Sequence, residues 1–140
     1  MDPRTLLTAL VAVLLLTACN TRQDKTPSII PHPVEMKIKT GYFSLDKDTR
    51  ITWSGGVSAA IMAEELAATL RPATGFELTT AEGTDGGFRI VIDTGTEWRD
   101  EEYSLKVQRR SVTLTAGTSE GLFRGIQTVR QLLPPDIFGK

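Results

Sequence analysis

The chain contains one cysteine, Cys19, and it closes the run Leu16-Thr17-Ala18-Cys19. An aliphatic residue, two small residues and a thiol, in that order, form the bacterial lipobox. The pattern needs a cysteine because the thiol becomes a thioether to diacylglycerol before the chain is cut on its N-terminal side. Upstream, Arg4 supplies a positive end, and residues 6–16 are an apolar run shorter than a typical membrane span. Residues 1–18 therefore read as a lipoprotein signal peptide. Residues 19–28, polar and containing Pro27, read as the lipidated cysteine and a flexible tether. The expected location is the bacterial cell envelope, lipid-anchored on its periplasmic or cell-surface side. With Cys19 carrying lipid, no thiol is left for a disulfide, a thiolate metal site or cysteine catalysis.

The other reactive groups do not assemble a catalytic set. His32 is the lone histidine and sits between Pro31 and Pro33. One imidazole cannot make a three-histidine zinc site, and no His-Glu-x-x-His run exists. Nor is there a base to activate any serine or threonine. The glycine-rich stretch Gly83-Thr84-Asp85-Gly86-Gly87 lacks the lysine and hydroxyl of a phosphate-binding loop and precedes a strand, so it reads as a hairpin or inter-strand turn. Asp93, Glu97, Asp100, Glu101 and Glu102 supply acids of the kind glycoside hydrolysis requires. In so polar a run nothing raises one pKa above another, so a solvated loop is the expected reading. Trp98 in that loop could stack on a sugar or anchor the loop to the core; Trp53 reads as core or partner-facing. No cofactor, metal or catalytic residue is assigned.

Around these residues the elements follow from period and punctuation. Net charge is −1, with no basic stripe for nucleic acid. The mature part is large enough for one core but hardly for two. Alternation predicts strands over residues 34–38, 42–45 and 51–53, a β-meander at the start. Val57, Ile61, Leu66 and Leu70 then recur at helical spacing among many alanines, a helix by pattern and by propensity, ended by Arg71-Pro72. Strands are expected over 76–79 and 88–92, and a hairpin over 103–107 and 112–116. Leu122, Ile126, Val129 and Leu133 give the last helix one apolar stripe, capped by Thr118 or Ser119 with Glu120 in its first turn. The fold class expected is α+β: a mostly antiparallel sheet with two helices packed on one face.

Three stretches together carry a resemblance. They are Ile30-Pro31-His32-Pro33 at entry, Arg71-Pro72-Ala73-Thr74-Gly75 after the first helix, and the final hairpin followed by Gly121-Leu122-Phe123-Arg124-Gly125-Ile126-Gln127-Thr128. In this order they resemble the non-catalytic N-terminal domain of family 20 glycoside hydrolases, the β-N-acetylhexosaminidases, over residues 29–135. The resemblance implies a sheet backed by two helices that pack against a catalytic barrel. It implies complete enzymes that remove terminal β-linked N-acetylglucosamine or N-acetylgalactosamine from glycans or chitin fragments. In such enzymes the sugar's own acetamido oxygen attacks the anomeric carbon, oriented by an aspartate beside the acid/base glutamate. That pair belongs to the barrel and has no counterpart here. Residues 136–140 are expected to begin the linker to the barrel, and the 140-residue chain alone is expected to be inactive. Two other readings stay open: the leading domain of another glycosidase, of O-GlcNAcase or α-glucuronidase type, or a free-standing binding or structural lipoprotein.

Replacing Cys19 with serine is expected to leave an unlipidated precursor in a bacterial host. Incorporation of labelled fatty acid measures it, and labelling equal to the parent's would overturn the lipobox reading.

Overall fold

The computed structural model describes residues 27–137; the signal and lipobox residues, Cys19 among them, lie outside it. In chain order the elements are β1 (Ile51–Ser54), α1 (Val57–Thr74), β2 (Thr80–Glu82), β3 (Phe88–Ile92), β4 (Tyr103–Val107), β5 (Val112–Ala116) and α2 (Ser119–Leu132). A short 3-10 turn, Pro135–Ile137, follows. The sheet order is β2-β1-β3-β5-β4. β1 runs parallel with β2 and β3, and β3 runs parallel with β5. Only the β4–β5 hairpin is antiparallel.

The expectation of a mostly antiparallel sheet is thus wrong. The sheet is mixed and mostly parallel. Alternating apolar and polar residues mark a sheet covered on one side, and such sheets are commonly antiparallel. Here the sheet is covered on one side and parallel. Its covered face holds Ile51, Phe88, Ile90, Val112, Leu114 and Ala116, all buried. Its other face carries the cross-strand row Thr52, Arg89, Thr113 and Lys106, with Thr52 buried beneath the chain that leads to β3.

The opening meander does not form. Val34 is fully exposed, Ile38 is more than half exposed, and residues 34–45 pair with no strand. This segment crosses the edge where the parallel strands begin. Ile30 bonds Gln131 at the end of α2, Gly41 stands against Arg109 of the hairpin turn, and Phe43 packs towards Gly87. Lying across strand ends, it has no ladder to join. The strand expected at 76–79 lies later, at Thr80–Glu82, although Leu78 is buried and the Thr79 carbonyl accepts from Ile51 N–H at 3.0 Å.

α1 runs one turn past Arg71-Pro72. The Thr74 hydroxyl donates to the Leu70 carbonyl at 2.8 Å, and Gly75, at φ 72°, closes the helix with its N–H on the Arg71 carbonyl. Only glycine adopts that left-handed cap without strain. The buried stripe is Ala59, Ala63, Leu66, Ala67 and Leu70. The expected stripe beginning at Val57 and Ile61 is corrected: those two are 75% and 51% exposed. The small alanines let α1 settle close to the sheet, and longer branched side chains are left outside.

α2 matches its expected stripe, with Leu122, Ile126 and Val129 buried and Leu133 packed on the core's margin. Thr118 is its cap, its hydroxyl oxygen accepting from Gly121 N–H at 3.1 Å. Glycine lets this helix approach the sheet. A Cβ on Gly125 would run into the Leu114 side chain, and one on Gly121 into the Glu102 carbonyl and Ala116. In an open helix interior, glycine to alanine gains up to about 1 kcal/mol. At Gly125 the sign should reverse: Gly125→Ala is expected to destabilise by about 1–3 kcal/mol, the range for overpacking a core. Urea unfolding measures it, and a stabilised variant would contradict this packing.

Candidate functional site

In open sheets with parallel strands, ligand sites favour the edge where those strands end. At that edge β3 passes into residues 93–102, the acidic loop that leads to β4. Because β5 lies between β3 and β4, the loop must cross above the end of β5, where Gly117 turns the chain into α2. All five expected candidate acids, Asp93, Glu97, Asp100, Glu101 and Glu102, belong to this crossing.

The loop is held by its own polar groups. Asp93 N–H donates to the Ala116 carbonyl at 2.9 Å. The Asp93 carboxylate accepts from Gly95 N–H at 2.9 Å and from the Thr96 hydroxyl at 2.7 Å. These bonds, Thr96 first, pull its pKa below the ordinary 3.8. Glu102 accepts from Arg99 N–H, Glu101 pairs with Arg124 of α2 at 2.9 Å, and the Thr118 hydroxyl donates to the Asp100 carbonyl. A glycosidase acid needs a raised pKa and an apolar pocket. Asp93 is shifted the other way, and Glu97, Asp100, Glu101 and Glu102 are exposed. The arrangement caps a helix and closes a loop.

Trp98 anchors this loop. Its ring covers Gly117 so closely that a Cβ there would overlap it. Its indole N–H is buried without a hydrogen-bond partner. A ring laid on backbone cannot also offer that face to a sugar. Beside the loop, Glu101, Ser119, Glu120, Phe123 and Arg124 line a shallow open cleft. Phe123 is 46% exposed in it.

The remaining candidates are scattered. His32 is exposed and its Nδ1 bonds the neighbouring Pro33 carbonyl at 2.8 Å. The glycine-rich stretch is no hairpin turn. It joins β2 to β3, two parallel strands on opposite sides of β1, and so must cross β1. β2 has three residues, so a five-residue return spanning about 17 Å suffices. Gly86 passes directly over Thr52, whose hydroxyl accepts from Gly86 N–H at 3.2 Å, and any Cβ there would collide. Trp53 lies half-buried at the core's margin. Among the described residues no group of three or more His, Cys, Asp or Glu side chains could hold a metal, and no helix is long and apolar enough to cross a membrane.

One constellation was not foreseen. Arg71 donates twice to the Leu78 carbonyl, at 3.0 and 2.8 Å, and to Glu64 at 2.5 Å; Thr80 donates to the same carboxylate at 2.9 Å. This clip closes the turn from α1 to β2, which gives the Arg-Pro-Ala-Thr-Gly run a structural reason. The signal was the seven-residue spacing of Glu64 and Arg71, two helical turns on one face.

Arg71 lowers the Glu64 pKa, chiefly by hydrogen bonding; Glu120 is lowered by its own backbone N–H and by Ser119. All these acids, Asp93 included, have depressed folded pKa values. Their stabilisation is therefore complete above their ordinary values of 3.8 and 4.5 and is lost as pH falls through the lower folded ones. The thermal midpoint is expected to fall below about pH 4, and Glu64→Gln with Asp93→Asn should flatten that fall. An unchanged acid limb in the double variant would sink the assignment.

Comparison with known proteins agrees with this geometry. The family model for glycosyl hydrolase family 20, domain 2, matches residues 26–139. A curated β-hexosaminidase of Porphyromonas gingivalis is 31% identical over 117 residues, 81% of this chain and 15% of that protein. The N-acetyl-β-hexosaminidase structure from Streptomyces plicatus is 37% identical, with a TM-score of 0.72 over 78% of this chain and 22% of that one. The family 20 β-N-acetylhexosaminidase of Streptomyces coelicolor A3(2) gives 35% and 0.73 with the same coverage. The chain thus spans less than a quarter of these relatives' lengths. Its sequence match, its fold and its self-satisfied acidic loop agree: this chain belongs to glycosyl hydrolase family 20, as that family's domain 2.

Proposed function

We propose that this chain is the accessory domain of a lipid-anchored β-N-acetylhexosaminidase. The complete enzyme would remove terminal β-linked N-acetylglucosamine or N-acetylgalactosamine from glycans or chitooligosaccharides. One observation carries the accessory role: the acids that could have served catalysis are spent on capping, loop closure and solvent exposure at the edge where a site would lie. The chain alone holds and presents; the chemistry belongs to a catalytic barrel packed on its helices.

The outer faces of the helices support that packing in part. Ile61 on α1 and Phe123 and Leu132 on α2 are exposed large hydrophobics. They are interspersed with Glu64, Glu65, Arg124 and Gln131, so the surface is not a continuous apolar patch. Such a mixed face suits an inter-domain contact, which is more polar than an obligate interface. The lipid anchor follows from the lipobox at Cys19, and places the enzyme at the membrane surface of the cell envelope.

The purified 140-residue chain is expected to hydrolyse no chromogenic β-N-acetylglucosaminide. Turnover that co-purifies with the chain through successive columns, above the buffer rate, would overturn the accessory reading.

A further inference from the structure

We propose that the edge of the sheet where the parallel strands begin is a membrane-facing surface that docks on the anionic headgroups of the bilayer holding the anchor. The inference rests on the reading of Cys19 as lipidated and goes beyond it, because an anchor alone leaves a domain free to tumble on its tether.

The first observation is where the tether arrives. Ile30 is held by both groups of one side-chain amide: its N–H donates to Gln131 Oε1 at 2.8 Å, and Gln131 Nε2 donates to its carbonyl at 2.9 Å. Neighbouring Ile29 is buried. Gln131 lies in the last turn of α2, which starts just after the end of β5 and runs back along the sheet. The chain from Cys19 therefore meets the domain at the edge where β1, β3 and β5 start. About ten extended residues separate Cys19 from Ile29, a reach of at most ~35 Å.

The second observation is the charge at that edge. Lys37, Lys47 and Arg50 are matched there by Glu35, Asp48 and Asp85 at 2.7, 2.9 and 2.8 Å. Lys39, Lys106, Arg109 and Arg110 are exposed and make no ion pair with any described carboxylate. Arg109 and Arg110 form the hairpin turn and share a shallow cleft with Asp46 and Asp48. Asp46 accepts from Asp48 N–H and the Thr49 hydroxyl, and Asp48 is held by Lys47. The acids of this edge, Glu35, Asp46, Asp48, Glu77 and Asp85, are exposed too, and its seven cations outnumber them by two.

The third observation is the opposite edge, where Asp93, Glu97, Asp100, Glu101, Glu102 and Glu120 gather against Arg99 and Arg124. The domain is polarised along its strands. Beside an anionic leaflet, a cation near the surface improves partitioning by about fivefold, while a carboxylate is repelled. Tether and charge select the same orientation: basic edge down, acidic loop away from the membrane.

Lipidation leaves no free thiol, so a single engineered cysteine reads the orientation. The full chain is lipidated in a bacterial host with Gln108→Cys at the hairpin turn, or with Thr94→Cys in the acidic loop. Each is labelled with a donor fluorophore and reconstituted into vesicles carrying headgroup acceptors. On phosphatidylcholine vesicles containing phosphatidylglycerol, transfer from position 108 should exceed transfer from position 94 at least about twofold. The difference should fall to at most about half on phosphatidylcholine alone, in about 1 M salt where screening reaches ~3 Å, and with Arg109→Gln and Arg110→Gln together, leaving only the bias of the tether; an undiminished difference overturns the role of the headgroups. Flotation of the protein with equal transfer from both positions overturns the orientation while leaving the anchor intact. Failure to float on either vesicle removes the anchor, and the proposal with it.

Discussion

The close approach of α2 to β5 is the contact on which the other parts depend. Gly121 and Gly125 put the helix backbone where side chains would otherwise stand, against Ala116 and Leu114. That depth buries Leu122, Ile126 and Val129 in the core shared with α1. It also fixes both ends of the helix. The first turn lies under the acidic loop, so Thr118 can bond Gly121 and Asp100, and Arg124 can reach Glu101. The last turn lies over the strand starts, so Gln131 can hold Ile30. A helix standing one methyl group further out would lose these placements together, because packed interiors do not deform smoothly.

What could be read from the sequence was local. The final hairpin, the stripe of α2 and its Thr118 cap all follow from neighbours a few residues apart. The strand pairing did not, because parallel partners are distant in sequence and one-sided alternation is shared by both kinds of sheet. A five-residue return from β2 to β3 looks like a turn on paper. Gly86 over Thr52 shows why it is a crossing instead, and why the strand it leaves must be as short as β2. The entry segment has alternation as good as any true strand, but Val34 and Ile38 have no ladder to join. In α1 the apolar excess hid the orientation. Alanine counts weakly in a hydrophobic stripe, yet Ala59, Ala63 and Ala67 mark the face that packs, and Val57 and Ile61 the face that does not.

The candidate site was half legible. Its composition identified a polar loop, and Trp98 was rightly ambiguous between sugar and core until its ring was seen on Gly117. Of the clip of Glu64, Arg71, Leu78 and Thr80, only Arg71 lies in the Arg-Pro-Ala-Thr-Gly motif. Its chemistry needs a fold, since Arg71 reaches a carbonyl seven residues ahead only when the helix ends where it does.

Charge has a different role from packing in this domain. Its ion pairs are exposed, and pairs of that kind contribute between nothing and about 1 kcal/mol each. Stability must therefore come from the apolar layer between helices and sheet. The charges are free to be arranged for something else, and they are arranged unevenly, acids where the strands end and unpaired cations where they begin. The accessory domain proposed above would serve its enzyme by fixing direction. A rigid layer, a tether clipped to one edge and a polarised surface are the physical means of doing so.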